Sequence, residues 1–166
     1  GGQENALALV GQICAEDPDT YFIVRSHPHK RHKPKHDVQE WMSAVEKTKP
    51  DLHLDPHSEV DSYALMRAAD LVITYGSTSG VEAAFANKPV IVMGPCAYNI
   101  LGCATQVTNP DELRQSMADQ SPGEWSGAVS YGLMMKRRGF NRVHAREFRQ
   151  IKDTKPLVKN LSMLRR

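Results

Sequence analysis

Residues 68–95 read AADLVITYGSTSGVEAAFANKPVIVMGP and contain two short apolar runs joined by a polar turn and a helical segment. The first run, Leu71–Tyr75, is rich in β-branched residues and ends at Gly76, which is typical of a buried strand. Pro89 ends the helical segment, because the residue before a proline avoids helical dihedral angles. The second run, Val90–Met93, forms the next strand. The segment therefore predicts a strand–helix–strand unit of a parallel sheet.

The polar turn of this unit lies at the carboxyl end of its first strand, where open α/β sheets bind ligands. It places three hydroxyl residues between two glycines: Gly76, Ser77, Thr78, Ser79 and Gly80. The hydroxyls can simply satisfy local backbone donors. They can also join bare backbone N–H groups and the positive end of a helix dipole in an anion cradle, most often for phosphate. We expect this turn to bind an anion.

Two further side chains, those of Glu82 and His27, can contact a bound nucleotide. Glu82 follows Ser79 at the spacing of a capping box, so it can stabilise the helix start or accept hydrogen bonds from ribose hydroxyls. His27 follows the apolar strand Tyr21–Arg25 and precedes Pro28. Its imidazole can satisfy the end of the strand, or it can donate to a phosphate oxygen and stabilise leaving-group charge.

Strands alternate with helices from Tyr21 to about Ala118, which predicts a doubly wound α/β domain with a parallel, Rossmann-like sheet. Beyond Ser121 the chain changes character, and apolar spacing there predicts extra carboxyl-terminal helices. We assign residues 1–120 to the sheet domain and residues 121–166 to a helical extension. The other expected elements are strands at 52–54 and 104–107 and helices at 7–14, 38–45, from Asp61 or Ser62 to 69, from Asn109, from Trp125 and at 140–151.

Length, net charge, cysteine content and the lengths of the apolar runs limit the possible classes of function. The chain has 166 residues, enough for one domain with a core, and a formal net charge of +2, too small to indicate nucleic acid. Its three cysteines are scattered, which fits a reduced, cytoplasmic setting. No apolar run is long enough to span a bilayer.

Basic residues form two groups. His29, His32 and His36 alternate with lysine and arginine and have no cysteine beside them, so we expect no metal site but a loop that attracts anionic substrate. The residues from Lys136 to Arg166 form a basic tail. The tail is a solvated face or a peripheral contact with anionic lipid at the inner membrane, and nucleic acid is a more distant alternative.

Five motifs occur in a fixed order: Val24-Arg-Ser-His-Pro28, Asp61-Ser-Tyr-Ala-Leu65, Ala69-Asp-Leu-Val-Ile73, Ser77-Thr-Ser-Gly-Val-Glu-Ala-Ala84 and Lys88-Pro-Val90. Over about residues 20–110 the chain resembles the carboxyl-terminal, donor-binding half of a GT-B glycosyltransferase. It is most similar to the capsule polysaccharide biosynthesis group, which includes Kdo-transferase-like proteins.

The resemblance implies roles for individual residues. In relatives that use CMP-activated sugars, a His-Pro pair and a Ser-Ser or Ser-Thr pair contact the CMP phosphate, and these match His27-Pro28 and Ser77-Thr78 by position. Glu82 matches the glutamate that holds the nucleotide ribose. The implied ligand is a nucleotide sugar, with a CMP-linked donor favoured over a UDP-linked one, and no metal or other cofactor is implied.

The resemblance also implies a missing half. GT-B enzymes have an amino-terminal domain that supplies the acceptor site and general base, and 166 residues hold only one such domain. We expect inverting transfer by the whole enzyme and little activity from this domain alone. Two alternatives stay open, namely a domain of a UDP-GlcNAc 2-epimerase-like enzyme and a non-catalytic α/β interaction module. The donor base, sugar, acceptor and oligomeric state are not determined by the sequence.

Overall fold

The computed structural model describes residues 2–137. Contacts divide the chain into two compact units, residues 1–129 and residues 130–166. The first unit contains all the described strands, and the described part of the second is the end of one helix. The helix expected at 140–151 and the basic tail from residue 138 onward lie outside the described residues. The division expected at residue 120 stays a prediction.

The described residues contain six α-helices and five short strands that alternate through most of the chain. In chain order they are α1 Gly2–Cys14, β1 Ile23–Arg25, α2 Lys35–Thr48, β2 Leu52–Leu54, α3 Ser62–Ala68, β3 Val72–Thr74, α4 Ser79–Phe85, β4 Val90–Val92, β5 Thr105–Gln106, α5 Pro110–Asp119 and α6 Trp125–Arg137. Two short 3-10 turns, Pro28–His32 and Asn99–Leu101, follow β1 and β4.

All strand pairs are parallel, and they form two hydrogen-bonded groups. β1 pairs with β2, with Val24 opposite His53. β4 lies between β3 and β5, and Ile91 is opposite both Ile73 and Thr105. The parallel strands with intervening helices confirm the expected Rossmann-like α/β class.

The core is built around β4 and α1. Every residue of β4 is buried, as expected for an interior parallel strand covered on both faces. Val10 and Ile13 of α1 pack with Ile91, Val107 and Leu113 in one apolar cluster. A second cluster joins β1 to α2 and consists of Val24, Trp41 and Val45, with Leu7 of α1 packed against it.

Two of the expected helix starts are confirmed by their capping bonds. The Asp61 carboxylate accepts hydrogen bonds from the backbone N–H groups of Tyr63 and Ala64 at the start of α3. At the start of α5, the Asn109 side chain accepts from Glu112 N, and Pro110 occupies the first helical position. These residues satisfy N–H groups that have no partner within the helix. No helix in the described range is both long and apolar enough to cross a bilayer.

Candidate functional site

Gly76 sets the direction of the hydroxyl-rich turn after β3. Its φ of +90° lies in the region that favours glycine. A β-carbon at this position would collide with the carbonyl oxygen of Pro95, in the loop after β4. Glycine is therefore required here both for its backbone conformation and for close packing between the two loops at the carboxyl ends of β3 and β4.

Tyr98 holds the turn through a hydrogen bond to its backbone. Its hydroxyl donates to the carbonyl oxygen of Ser77 at 2.6 Å, and its side chain is only 1% exposed. The same hydroxyl lies so close to Gly80 that a β-carbon there would collide with it. Sequence reasoning missed this residue, because nothing in the loop 96–101 indicates that a tyrosine reaches back to residue 77.

The hydroxyls of Ser77 and Ser79 bond to each other. Ser77 Oγ accepts from Ser79 Oγ at 2.8 Å and from Ser79 N at 3.3 Å. These bonds are the local satisfaction of backbone donors that serine often provides in turns. Thr78, between them, is exposed and makes no side-chain capping bond. Its hydroxyl is the one in the turn best placed to meet a ligand.

The predicted capping box at Ser79 and Glu82 is wrong. α4 begins at Ser79, so Thr78 occupies the N-cap position and Glu82 the fourth helical position. A capping box needs the acid at the third position, where this helix has Val81. The serine pair and the bond from Tyr98 hold the turn that precedes this helix start. Glu82 is exposed on the first turn of α4.

His27 caps the 3-10 turn that follows β1. Its Nδ1 accepts a hydrogen bond from the backbone N–H of His29 at 3.0 Å. A neutral ring that accepts through Nδ1 carries its proton on Nε2. Partial desolvation lowers the pKa of His27, and the nearby His29, Arg25 and Lys30 lower it further. The ring is therefore a neutral Nε2–H donor at pH 7.

A buried network holds the strand end that carries His27. Ser26 is completely buried, and its Oγ accepts from Trp41 Nε1 at 2.7 Å and bonds His53 Nε2 at 2.8 Å. Arg25 donates to the backbone carbonyls of Ser26, Asp55 and Ser58. The sequence placed Trp41 in the helix expected at 38–45 and indicated no role for His53, because their shared partner is distant in sequence.

The predicted site residues form two groups. Gly76, Ser77, Thr78, Ser79 and Gly80 make one turn after β3, and His27 with Pro28 begins the turn after β1. Between residues 2 and 137, none of the hydrogen bonds or ring contacts joins His27 to the turn at 77–79. Both groups follow the carboxyl ends of parallel strands, where the sequence places them.

The side chains of His29, His32 and His36 each contact a neighbouring protein side chain. His29 and His32 have ring centroids 5.7 Å apart, and Arg31 Nε donates to His32 Nε2 at 3.0 Å. His36 Nε2 lies 2.6 Å from the Asp37 carboxylate. No group of three metal-ligating side chains occurs in the described part of the chain. Lys30 lies 3.9 Å above the ring of Trp41, a cation–π contact that ties this loop to α2.

The family described as capsule polysaccharide biosynthesis protein matches residues 1–135. Neither the curated proteins nor the solved structures gave a match.

Proposed function

Because the chain belongs to the capsule polysaccharide biosynthesis family, we propose that it is the nucleotide-sugar-binding domain of a capsule glycosyltransferase. In this proposal the turn at residues 76–80 binds the donor phosphate. The family match supports the pathway, and the chemistry of the turn and of His27 supports the ligand.

The observation that carries the proposal is the turn after β3. Tyr98 fixes the Ser77 carbonyl, and Ser77 and Ser79 satisfy each other, so the backbone of the turn is held before any ligand arrives. The exposed Thr78 hydroxyl can then donate to a phosphate oxygen. A preorganised turn loses little freedom on binding, which favours affinity.

His27 would act on the leaving phosphate. With Nδ1 accepting from His29, its Nε2–H is free of that bond and can donate to a phosphate oxygen. The lowered pKa keeps the ring neutral, so His27 would stabilise the departing phosphate through a hydrogen bond rather than a charge. Lys30 and the neighbouring basic side chains would add positive potential.

The proposed reaction is inverting transfer. A base outside this chain would take the proton of the acceptor hydroxyl, whose oxygen attacks the anomeric carbon as the bond to the nucleotide phosphate breaks. Glu82, exposed on the first turn of α4, would accept hydrogen bonds from the ribose hydroxyls. Pro28 would shape the His27 turn, and Gly76 and Gly80 would allow the phosphate close to the backbone. CMP-linked donors are proposed ahead of UDP-linked ones.

Calorimetric titration tests the proposal directly. We expect CMP and CMP-linked sugars to bind the chain, and we expect the double variant Ser77→Ala, Thr78→Ala to lose at least about tenfold in affinity, or 1.4 kcal/mol. The control is Ser43→Ala, on the exposed face of α2. A folded chain that binds neither CMP nor UDP at millimolar concentration would contradict the proposal, as would equal binding by the double variant. We also expect no measurable sugar transfer by this chain alone.

A further inference from the structure

β1 and β3 are edge strands of different groups, and each has one side that pairs with no described strand. Leu52 N donates to Phe22 O and Ser26 N donates to Leu54 O, so Phe22, Val24 and Ser26 face β2. Successive residues of a strand direct their backbone groups to opposite sides, so those of Ile23 and Arg25 face away from β2. No backbone hydrogen bond joins β1 to β3 in the described chain.

β3 shows the same arrangement on its own outer side. Val72 N donates to Pro89 O, and Thr74 O accepts from Met93 N, so both residues face β4. The backbone groups of Ile73 therefore face away from β4. All three residues of β3 are only half-buried, whereas all three of β4 are buried. β3 is thus less covered than β4, and its outer side has room for a neighbour that would cover it as β4 is covered.

The amino end of α1 lies at the carboxyl ends of both β1 and β3. Gly2 abuts the hydroxyl of Tyr75, the residue directly after β3. Glu4 lines the same shallow surface cavity as Lys30, in the turn that follows β1. α1 therefore begins at the edge of the sheet where β1 and β3 both end.

The carboxyl end of α1 lies at the opposite edge. Gly11 packs against Thr48, at the end of the helix that leads into β2. Between its ends, Leu7 packs on the cluster of β1 and Val10 on the cluster of β4. α1 thus covers both strand groups and runs antiparallel to the strands. That is the course of a crossover helix, which joins two parallel strands of one sheet.

From this course we infer that a strand joined to the amino end of α1 fills the gap between β1 and β3. It runs parallel to both and completes one sheet in the order β2, β1, new strand, β3, β4, β5. This is the doubly wound order in which the first strand lies at the centre and α1 follows it. A single strand needs a gap of about 10 Å, twice the spacing of paired strands.

The expected occupant is a segment of the same polypeptide that precedes Gly2. Because it would be covered on both faces, it is a continuous apolar run of about five residues rich in valine and isoleucine. A strand ending in the gap reaches Gly2 through a short turn, whereas a strand from a second copy would have no link to α1. The turn would lie between His27 and Ser77. The inference concerns the sheet and does not depend on nucleotide binding.

Amide hydrogen exchange measured by NMR tests the inference. In the 166-residue chain, the amides of Ile23, Arg25 and Ile73 should exchange at least about 100-fold faster than those of Val24 and Val72, because they lack partners. When the chain is extended by about 20 residues encoded before Gly1, the three amides should become protected. An extension of the same length made of glycine and serine is the control and should protect none of them.

Three results would overturn the inference. The first is protection of the three amides in the 166-residue monomer, which would mean that the gap is already closed. The second is protection that rises with protein concentration, which would assign the gap to a second copy. The third is an encoded extension that folds with the chain but leaves the three amides as fast as the glycine–serine control does.

Discussion

Ser26 is the residue on which the end of β1 depends. One completely buried hydroxyl serves the indole of Trp41 and the ring of His53. A single small side chain thereby joins α2 and β2 to the strand that carries His27. A buried polar group of this kind stabilises only while all its partners are satisfied.

Replacing Ser26 by alanine should destabilise the chain by about 1–3 kcal/mol, because the Trp41 N–H and the His53 nitrogen lose their shared partner. Urea denaturation followed by tryptophan fluorescence measures the change. Ser43→Ala is the control and should stay within about 0.5 kcal/mol of the parent chain. A Ser26→Ala chain as stable as that control would show that the network contributes nothing.

Tyr98 is the corresponding residue under the turn after β3. Tyr98→Phe should lower stability by about 1 kcal/mol, because the Ser77 carbonyl loses its 2.6 Å partner while the ring packing remains. If the proposed function holds, nucleotide affinity should fall as well. Tyr21→Phe, at a side chain that is 67% exposed, is the matched control. Unchanged stability in Tyr98→Phe would mean that the turn holds its shape without the hydroxyl.

His27 should make stability depend on pH. Its folded pKa lies below the usual 6.5, so the unfolded chain binds more protons than the folded chain as the pH falls below about 6.5. Stability should therefore fall between pH 7 and pH 5, and His27→Gln should reduce that fall. Melting temperatures at both pH values measure it, with His57→Gln as the control. If the melting temperature falls equally in the parent and in His27→Gln, His27 is not a source of the pH dependence.

At the scale of the element, helix starts differ in how they are held. α3 and α5 begin with side-chain caps from Asp61 and Asn109. At the start of α4 Thr78 makes no capping bond, and the turn is held by Ser77 Oγ, which accepts from Ser79 N, and by Tyr98. A short helix can thus start where tertiary contacts place it rather than at the best local cap.

This difference predicts unequal costs for similar substitutions. Asp61→Ala and Asn109→Ala should each cost about 1 kcal/mol, the usual value of an N-cap. Ser79→Ala should cost less, because Ser79 is the first helical residue and its side chain bonds to the neighbouring Ser77 hydroxyl rather than to a backbone N–H of the helix, as far as the structure describes the chain. Thermal unfolding of the three variants compares them. A Ser79→Ala cost as large as that of Asp61→Ala would restore Ser79 as the cap.

For the whole molecule, the turns after β1 and β3 both follow the carboxyl ends of parallel strands, where α/β domains bind ligands. A nucleotide that binds only the folded chain must also stabilise it. At a ligand concentration 100 times Kd the gain is about 2.7 kcal/mol, which for this length raises Tm by roughly 5–10 °C.

A thermal shift with CMP is therefore expected in the parent chain. In Ser77→Ala, Thr78→Ala the shift at the same CMP concentration should be smaller by about half or more, because the affinity is at least about tenfold lower. Inorganic phosphate at the same ionic strength separates nucleotide binding from a general anion effect. A shift of equal size with phosphate would reduce the site to an anion site without nucleotide specificity. If CMP binds in calorimetry but produces no thermal shift at the same concentrations, binding to the folded chain is contradicted.

Local patterns in the chain were sufficient for the element order and the fold class. Apolar β-branched runs such as Leu71–Tyr75 predict strands because such side chains pack well on a pleated surface. Asn109-Pro110 and Asp61 predict helix starts because their side chains act within three residues of themselves. These signals depend on residues that are close in sequence, so they do not depend on how the rest of the chain folds.

Contacts between residues far apart in sequence were decided only in the tertiary structure. Tyr98 reaches Ser77 across 21 positions, and Trp41 reaches Ser26 across 15. The predicted capping box was wrong at a turn that a distant tyrosine also holds, because α4 begins at Ser79 with Tyr98 bonded to the Ser77 carbonyl. The sequence also did not indicate that the strands divide into two groups, because strand pairing depends on which strand edges meet in the folded chain. Periodicity encodes which face of an element is buried, but not which partner covers it.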